Sequence, residues 1–471
     1  MDHRDGVSLL TGWLPLSVFV LAAVAAAVVL LGRGRWLRIG LPVCLALGAL
    51  AAWGADAEMG AQGVAGEPAP VMLWVWLGLT VATLIAAIVR FRSGRWRGRI
   101  VSVAAVPLLL IAALLVVNQW VGYYRTVQVA WSALTAGPLP NQTVLDDLPG
   151  LRDTVQKQGR VVPVDIPDDA SGFAHRTEYV YLPPAWFTGK TPPALPAVEM
   201  IGGEFNTPAD WIRLGSATQI ADQFAAQHGG QAPILVFVDS GGSFNNDTEC
   251  VDGPRGDSAS HLTKDVRPYV ISTFGAASDA AHWGVIGWSM GGTCAVDLTV
   301  MHPELFSAFG DIGGDLRPNA GNQAQTISRL FGGDASKWDA YDPQKVMAQH
   351  GAYQGVAGIF VDAAGHPQRP GGPGGKPRQG GGQHPGGQWG GQGGGGGAGG
   401  RGYEPDPYSA GASQTLCTAM KKVDIACTVQ ASSHGHTWDS ATQALTPVLA
   451  TVAGHLTGTP ALTGTPAPSA H

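Results

Sequence analysis

Four long apolar runs fill most of the first 120 residues, and they constrain the chain more than any other feature. Residues 8–31, 39–55, 71–89 and 100–120 are each about long enough to cross a bilayer core, which takes roughly 20 residues. A buried globular helix explains one such run, but four in succession predict a membrane region. The 39–55 run is the shortest and is interrupted by glycine and proline. Composition agrees, with 45% apolar and only 14% charged residues. The first run lacks a basic start and further spans follow it, so a cleaved leader is not expected. The span centres hold no ionisable side chain of the kind that marks a transport pathway, which predicts an anchor.

Charge between the runs predicts orientation. Arg33, Arg35 and Arg38 follow the first run, and Arg90, Arg92, Arg95, Arg97 and Arg99 follow the third. The loop after the second run carries Asp56, Glu58 and Glu67 instead. Basic loops stay cytoplasmic, so everything beyond about residue 121 is expected outside. The net charge of −6 gives no support for a nucleic-acid partner.

After a connector at 126–158 the pattern becomes that of an alternating α/β domain over 159–457. "GRVVPVDIPDDASGFAHRTEYVYLPPAW" reads as a β-hairpin. Strands are predicted at 196–202, 232–239, 283–288, 308–313, 356–363 and 425–431, with helices at 210–228, 262–275, 291–302 and 412–422. This alternation predicts a mostly parallel sheet with helices on both faces. Residues 365–402 are Gly/Pro/Gln-rich and cannot supply a core, so they are expected to be a disordered insertion, like the tail 458–471.

One stretch carries chemistry. Gly287-Trp288-Ser289-Met290-Gly291 has the G-x-S-x-G spacing, placed after a predicted strand and before a predicted helix. That context is a nucleophile elbow, in which small flanking residues permit a sharp turn that lifts the serine Oγ clear. In a chain with 67 glycines the bare pattern also arises by chance, so the context carries the assignment. A serine needs a base, and a base needs an orienting group. His436, in "SSHGHTWDS" after the last strand, is the candidate base and is preferred over His434. The acid is expected after the preceding strand. Asp406 in "GYEPDPYS" is chosen, Glu404 is next, and Asp362 and Asp315 are further candidates. The oxyanion hole requires two backbone N–H groups: Met290 after the nucleophile, and Glu204 in "MIGGEFNTPADW".

Cys44 lies in a span and reads as a small apolar residue. Cys250, Cys294, Cys417 and Cys427 fall in the outer part, where disulfides persist. Of three pairings, Cys417–Cys427 and Cys250–Cys294 are favoured. No C-x-x-C occurs, and neither a metal nor a cofactor is expected.

The segments "GGEFNTPADW", "DTECVDGPRG", "LTKDVRPYV", "GWSMGGTCAVDLTVMHPELF" and "GHTWD", in that order, resemble the esterase family of α/β-hydrolases that includes mycobacterial mycolyltransferases and S-formylglutathione hydrolases. The resemblance covers roughly 160–365 and 403–455. Two features depart from the family pattern: the oxyanion loop reads Gly202-Gly203 instead of "HG", and the acid region is split by the insertion. The resemblance implies an α/β-hydrolase fold and acyl transfer through a serine ester, from a lipid or other acyl-ester donor to water or a sugar acceptor. With the membrane region, it implies a multi-pass, extracytoplasmic esterase or acyltransferase. The competing reading is a catalytically silent module that binds sugar, lipid or protein partners.

Overall fold

The structure is a computed structural model that describes residues 6–31, 34–62, 69–91, 96–135, 137–362, 411–432 and 436–458. The N-terminal region is four helices: α1 (Trp13–Leu30), α2 (Leu41–Gln62), α3 (Val71–Phe91) and α4 (Trp96–Val121). All four are long and apolar enough to cross a membrane. They pack through small residues, with Ala22, Ala26, Ala82, Ala86, Ala105 and Ala112 at their centre. Leu16, Val20, Val24, Leu84, Ile88 and Leu114 point outward and stay exposed. A helix apolar on all sides needs apolar surroundings, and these four are long and apolar enough to find them in a membrane. The second run, interrupted on paper, is a continuous helix. Its Gly48 meets Gly78 of α3 so closely that a Cβ at Gly48 would overlap the Gly78 carbonyl. Small residues that let backbones approach are what holds helices together where no water drives association.

A short helix, α5 (Val127–Leu134), follows α4. The hydrolase-like part is an eight-stranded sheet: β1 (Arg160–Val164), β2 (Glu178–Leu182), β3 (Ala197–Ile201), β4 (Ile234–Val238), β5 (Trp283–Trp288), β6 (Ala308–Ile312), β7 (Ala357–Asp362) and β8 (Ala426–Ala431). Their spatial order is β1-β2-β4-β3-β5-β6-β7-β8. The hairpin is antiparallel, with Arg160 opposite Leu182, and β2 runs antiparallel to β4. From β4 to β8 every neighbouring pair is parallel. Strand order reverses between β3 and β5, and in such sheets ligands bind beyond the carboxyl ends of the strands at that point.

The parallel strands β3 to β7 are buried on both faces, as strands covered by crossover helices are, while the edge strand β8 is largely exposed. Side chains of β5 alternate: Trp283 and Val285 enter one core, Ile286 and Trp288 the other. The first core is closed by α6 (Arg267–Phe274), α7 (Met290–Met301), α8 (Pro343–His350) and α9 (Ala412–Met420). The second is closed by α10 (Trp438–Thr457), through Leu445, Val448, Leu449 and Val452. The predicted 210–228 helix is broken: a turn at Asp210–Arg213 and a helix at Ala217–Gln227 meet at Ser216, which has φ 52.

Candidate active site

The loops after β3, β5 and β8 converge where the strand order reverses. The turn after β5 is as sharp as its sequence requires. Ser289 stands at φ 59, ψ −124 between the strand and α7, a backbone region that costs a non-glycine residue energy and persists where the surroundings impose it. A Cβ at Gly287 would overlap the Gly291 carbonyl, and one at Gly291 would overlap the Ile201 carbonyl. Both glycines are therefore steric necessities. The Ser289 N–H is held by the Ile312 carbonyl at 2.9 Å, pinning the turn to β6.

His436 Nε2 lies 2.8 Å from Ser289 Oγ, within the reach a general base needs. An aromatic stack supports its ring. His436 lies on Trp288 with centroids 5.4 Å apart, Trp288 meets Trp438 at 4.5 Å, and Trp438 meets Trp211 edge-on at 5.3 Å. These tryptophans lie within "GWSMG", "GHTWD" and "PADW", so the three motifs share one packed unit.

The loop after β3 sits against the nucleophile. A Cβ on Gly203 would lie 3.3 Å from Ser289 Cβ. The Gly203 N–H donates to Asn206 Oδ1 at 2.8 Å, and the Asn206 N–H returns to the Gly203 carbonyl at 3.0 Å. Asn206 is itself fixed: Arg176 donates to its carbonyl at 2.9 Å and pairs with Asp239 at 2.6 Å. Among the described residues the N–H groups of Met290 and Glu204 have no partner. A fixed turn with two open amides beside a serine can stabilise an oxyanion. Asn206 carries no motif of its own, and the sequence reading passed over it.

The Glu204 side chain enters a carboxylate-rich shelf. Its pKa is pushed up to about 8, first by burial and then by Asp247, with Arg255 and Arg329 opposing. Burial, followed by Asp247, likewise raises Glu249 well above the usual range. Burial therefore favours the protonated form of the Glu204 side chain.

The acid candidates Asp406 and Glu404 lie outside the described residues, as does His434. Asp362 ends β7, and its carbonyl receives the Ser432 N–H at 3.1 Å, beside the loop that carries His436. Asp315 is bonded elsewhere: its N–H donates to Thr293 Oγ1 at 2.9 Å and its Oδ2 accepts from Asn319 at 3.2 Å. The structure joins Cys250 to Cys294 and Cys417 to Cys427, with Cα atoms 5.6 and 5.7 Å apart. The first ties the loop after β4 to α7 behind the elbow. Cys44 is free and buried.

His175, Glu178 and His261 place ligand-type atoms within 4.8 Å of one another. Both ring nitrogens of His175 face backbone carbonyls, of Arg176 at 3.0 Å and Ile166 at 2.7 Å. A ring that donates from both nitrogens has no lone pair for a metal. Burial lowers the His175 pKa, but Glu178 and the two carbonyls outweigh it and the net shift is upward. The trio is a hydrogen-bonded cluster, in which His261 Nε2 lies 3.2 Å from Glu178 Oε1.

The family model described as "Putative esterase" matches residues 174–371. An uncharacterized protein of Corynebacterium glutamicum is 31% identical over 378 residues, covering 77% of this chain and 86% of that protein. That share exceeds what residues 159–471 amount to, so the likeness runs into the N-terminal region. Among solved structures, a ferulic acid esterase is 17% identical, with 63% of this chain and 99% of that one covered and a TM-score of 0.45. An S-formylglutathione hydrolase from Agrobacterium tumefaciens is 15% identical, at 64% and 98% coverage and a TM-score of 0.45. MPT51 of Mycobacterium tuberculosis is 16% identical, at 68% and 100% coverage and a TM-score of 0.40.

Proposed function

The chain belongs to the esterase family of α/β-hydrolases, and from that premise we propose that it is a membrane-anchored serine esterase or acyltransferase whose hydrolase domain faces the cell envelope. The observation that carries the reading is the 2.8 Å contact between Ser289 Oγ and His436 Nε2 at a strained elbow. In the proposed reaction Ser289 Oγ attacks the carbonyl carbon of an acyl ester while His436 takes its proton. The carbonyl oxygen becomes an oxyanion held by the N–H groups of Met290 and Glu204. Collapse expels the alcohol, which leaves with the proton from His436, and the acyl group stays on Ser289. Water or a sugar hydroxyl then gives up its proton to His436 and attacks the acyl-enzyme, restoring the serine. Asp406 is proposed to orient His436, with Glu404 the next choice.

The arginine-rich loops on one side of the four helices support placing the hydrolase domain outside the cell. Acyl esters of envelope lipids are then the substrates within reach. The test is a fluorophosphonate serine probe on the full-length protein. Labelling is expected in the wild type, and its loss in both Ser289→Ala and His436→Ala; turnover should fall by about 10⁴–10⁶-fold, as for other triad deletions. A folded wild type that resists the probe would replace this reading with that of a silent binding module.

A further inference from the structure

The segment joining the last membrane helix to the hydrolase domain touches the catalytic loops directly. The Tyr123 hydroxyl donates to Asp210 Oδ2 at 2.5 Å, and Asp210 closes the turn after the oxyanion loop by accepting the Thr207 N–H at 2.7 Å. Arg125 forms an ion pair with Asp439 at 2.9 Å, three residues beyond His436. Gly122, at φ 67, lies so near Thr437 that a Cβ there would stand 2.7 Å from the threonine methyl. A second contact, from Gln325 to the Gly60 carbonyl at 3.2 Å, joins the hydrolase domain to the end of α2. Two membrane helices thus meet the hydrolase domain at the same end of the bundle.

Five residues separate the end of α4 from the start of α5, in direct continuity with the lipid-facing helices. Thr126 caps it by accepting the Val129 N–H. One face packs on the hydrolase core through Val129. The other presents Val127, Trp131 and Leu134, the last two 67% and 74% exposed. Spacings of four and three residues put all three on one stripe. Tryptophan at a polar–apolar boundary is a favoured membrane anchor.

We propose that α5 lies in the plane of the bilayer surface with Val127, Trp131 and Leu134 in lipid, and that residues 122–125 hold the catalytic loops above it, so that the cleaved ester belongs to a lipid drawn from the same bilayer. The substrate part of this inference rests on the serine-esterase reading; the placement of α5 does not. The open side of the oxyanion loop suits such a substrate: Phe205 follows Glu204 and meets Phe244, 73% exposed, at 5.5 Å. These rings form an apolar lip for an acyl chain.

The full-length protein in phosphatidylcholine–phosphatidylglycerol vesicles tests both parts. A nitroxide is placed at position 131 (Trp131→Cys, with Cys44→Ala) and, as an aqueous control, at position 155 (Val155→Cys, same background). Oxygen should dominate relaxation at 131 and a water-soluble nickel complex at 155; equal nickel access at both would overturn the placement. The double variant Trp131→Asp with Leu134→Asp should keep probe labelling and turnover of a water-soluble short-chain p-nitrophenyl ester. On a long-chain ester carried in the vesicles it should lose on the order of tenfold in kcat/KM, equivalent to about 1.4 kcal/mol. Equal losses on both esters, or no loss on either, would overturn the substrate part. A wild type inactive on both esters would instead sink the esterase reading and leave the nitroxide result standing.

Discussion

Glu204 is proposed to donate its amide to the oxyanion, and the same residue carries a titratable carboxyl. Burial, then Asp247, pushes that carboxyl up to about 8. Ionisation above that point adds a negative charge to the residue proposed to hold the oxyanion. The expected outcome is a kcat/KM that declines as pH rises through about 8 on a soluble ester, and a Glu204→Gln variant in which that limb is flat. A limb unchanged in the variant would assign it to another group. Asn206 acts one step further back. Asn206→Ala frees the Gly203 N–H and releases the turn, so kcat should drop by about 10–100-fold, less than the 10²–10³ typical of a lost oxyanion donor, with KM little changed. Ser289 and His436 were legible because the elbow and the post-strand histidine are local patterns. Asn206 was not, because its role is to fill a hydrogen bond that exists only once the loop has folded.

At the scale of elements, the elbow helix α7 is held by the Cys250–Cys294 bridge, which closes a separation of 44 residues. In the chain-entropy account such a loop contributes about 4 kcal/mol. The paired change Cys250→Ala with Cys294→Ala should therefore lower the denaturant midpoint strongly, and more than the Cys417–Cys427 pair, whose separation of 10 predicts about 3 kcal/mol. Equal effects would show that native-state strain, not loop length, sets the contribution. The tryptophan stack predicts a comparable cost. Trp438 is 1% exposed, and Trp438→Ala should destabilise by about 3–5 kcal/mol while also loosening His436. Strand positions were readable because buried parallel strands are runs of apolar residues. The stack was not, because Trp211, Trp288 and Trp438 come from three distant segments with no shared period. The second apolar run looked interrupted for a related reason: Gly48 lowers helix propensity but makes the contact with Gly78, and the tertiary contact overrides the local preference.

At the scale of the whole molecule, many carboxyls are buried with their pKa values raised. Asp247 reaches about 6, Asp311 about 7 and Glu204 about 8, each chiefly through burial. Glu199, Glu249 and Asp297 shift the same way, again chiefly through burial. A carboxyl whose folded pKa lies above its unfolded value, about 4, binds more protons folded than unfolded. Its contribution is complete below the unfolded pKa and is lost as pH rises through the folded one. Asp239 and Asp265, shifted down, act only at lower pH. The melting temperature is therefore expected to fall steadily from pH 5 to pH 8; a rise over that interval would refute the net proton uptake on folding.

The segment 122–125 has a practical consequence as well. Composition places the end of the membrane part near residue 125, so a soluble fragment would naturally start at 126 or 159. Either cut discards Gly122, Tyr123 and Arg125 and bares Asp210, Thr437 and Asp439 to solvent. On the serine-esterase reading such a fragment loses contacts to the catalytic loops and is expected to turn over more slowly than the intact chain. A fragment that begins at residue 120, or a detergent-held full chain, keeps the stem, and its turnover of a soluble ester should exceed that of the shorter fragment. Where the hydrolase-like domain ends and the apolar helices begin is decided by which residues touch, and by that measure residues 122–125 belong to the domain.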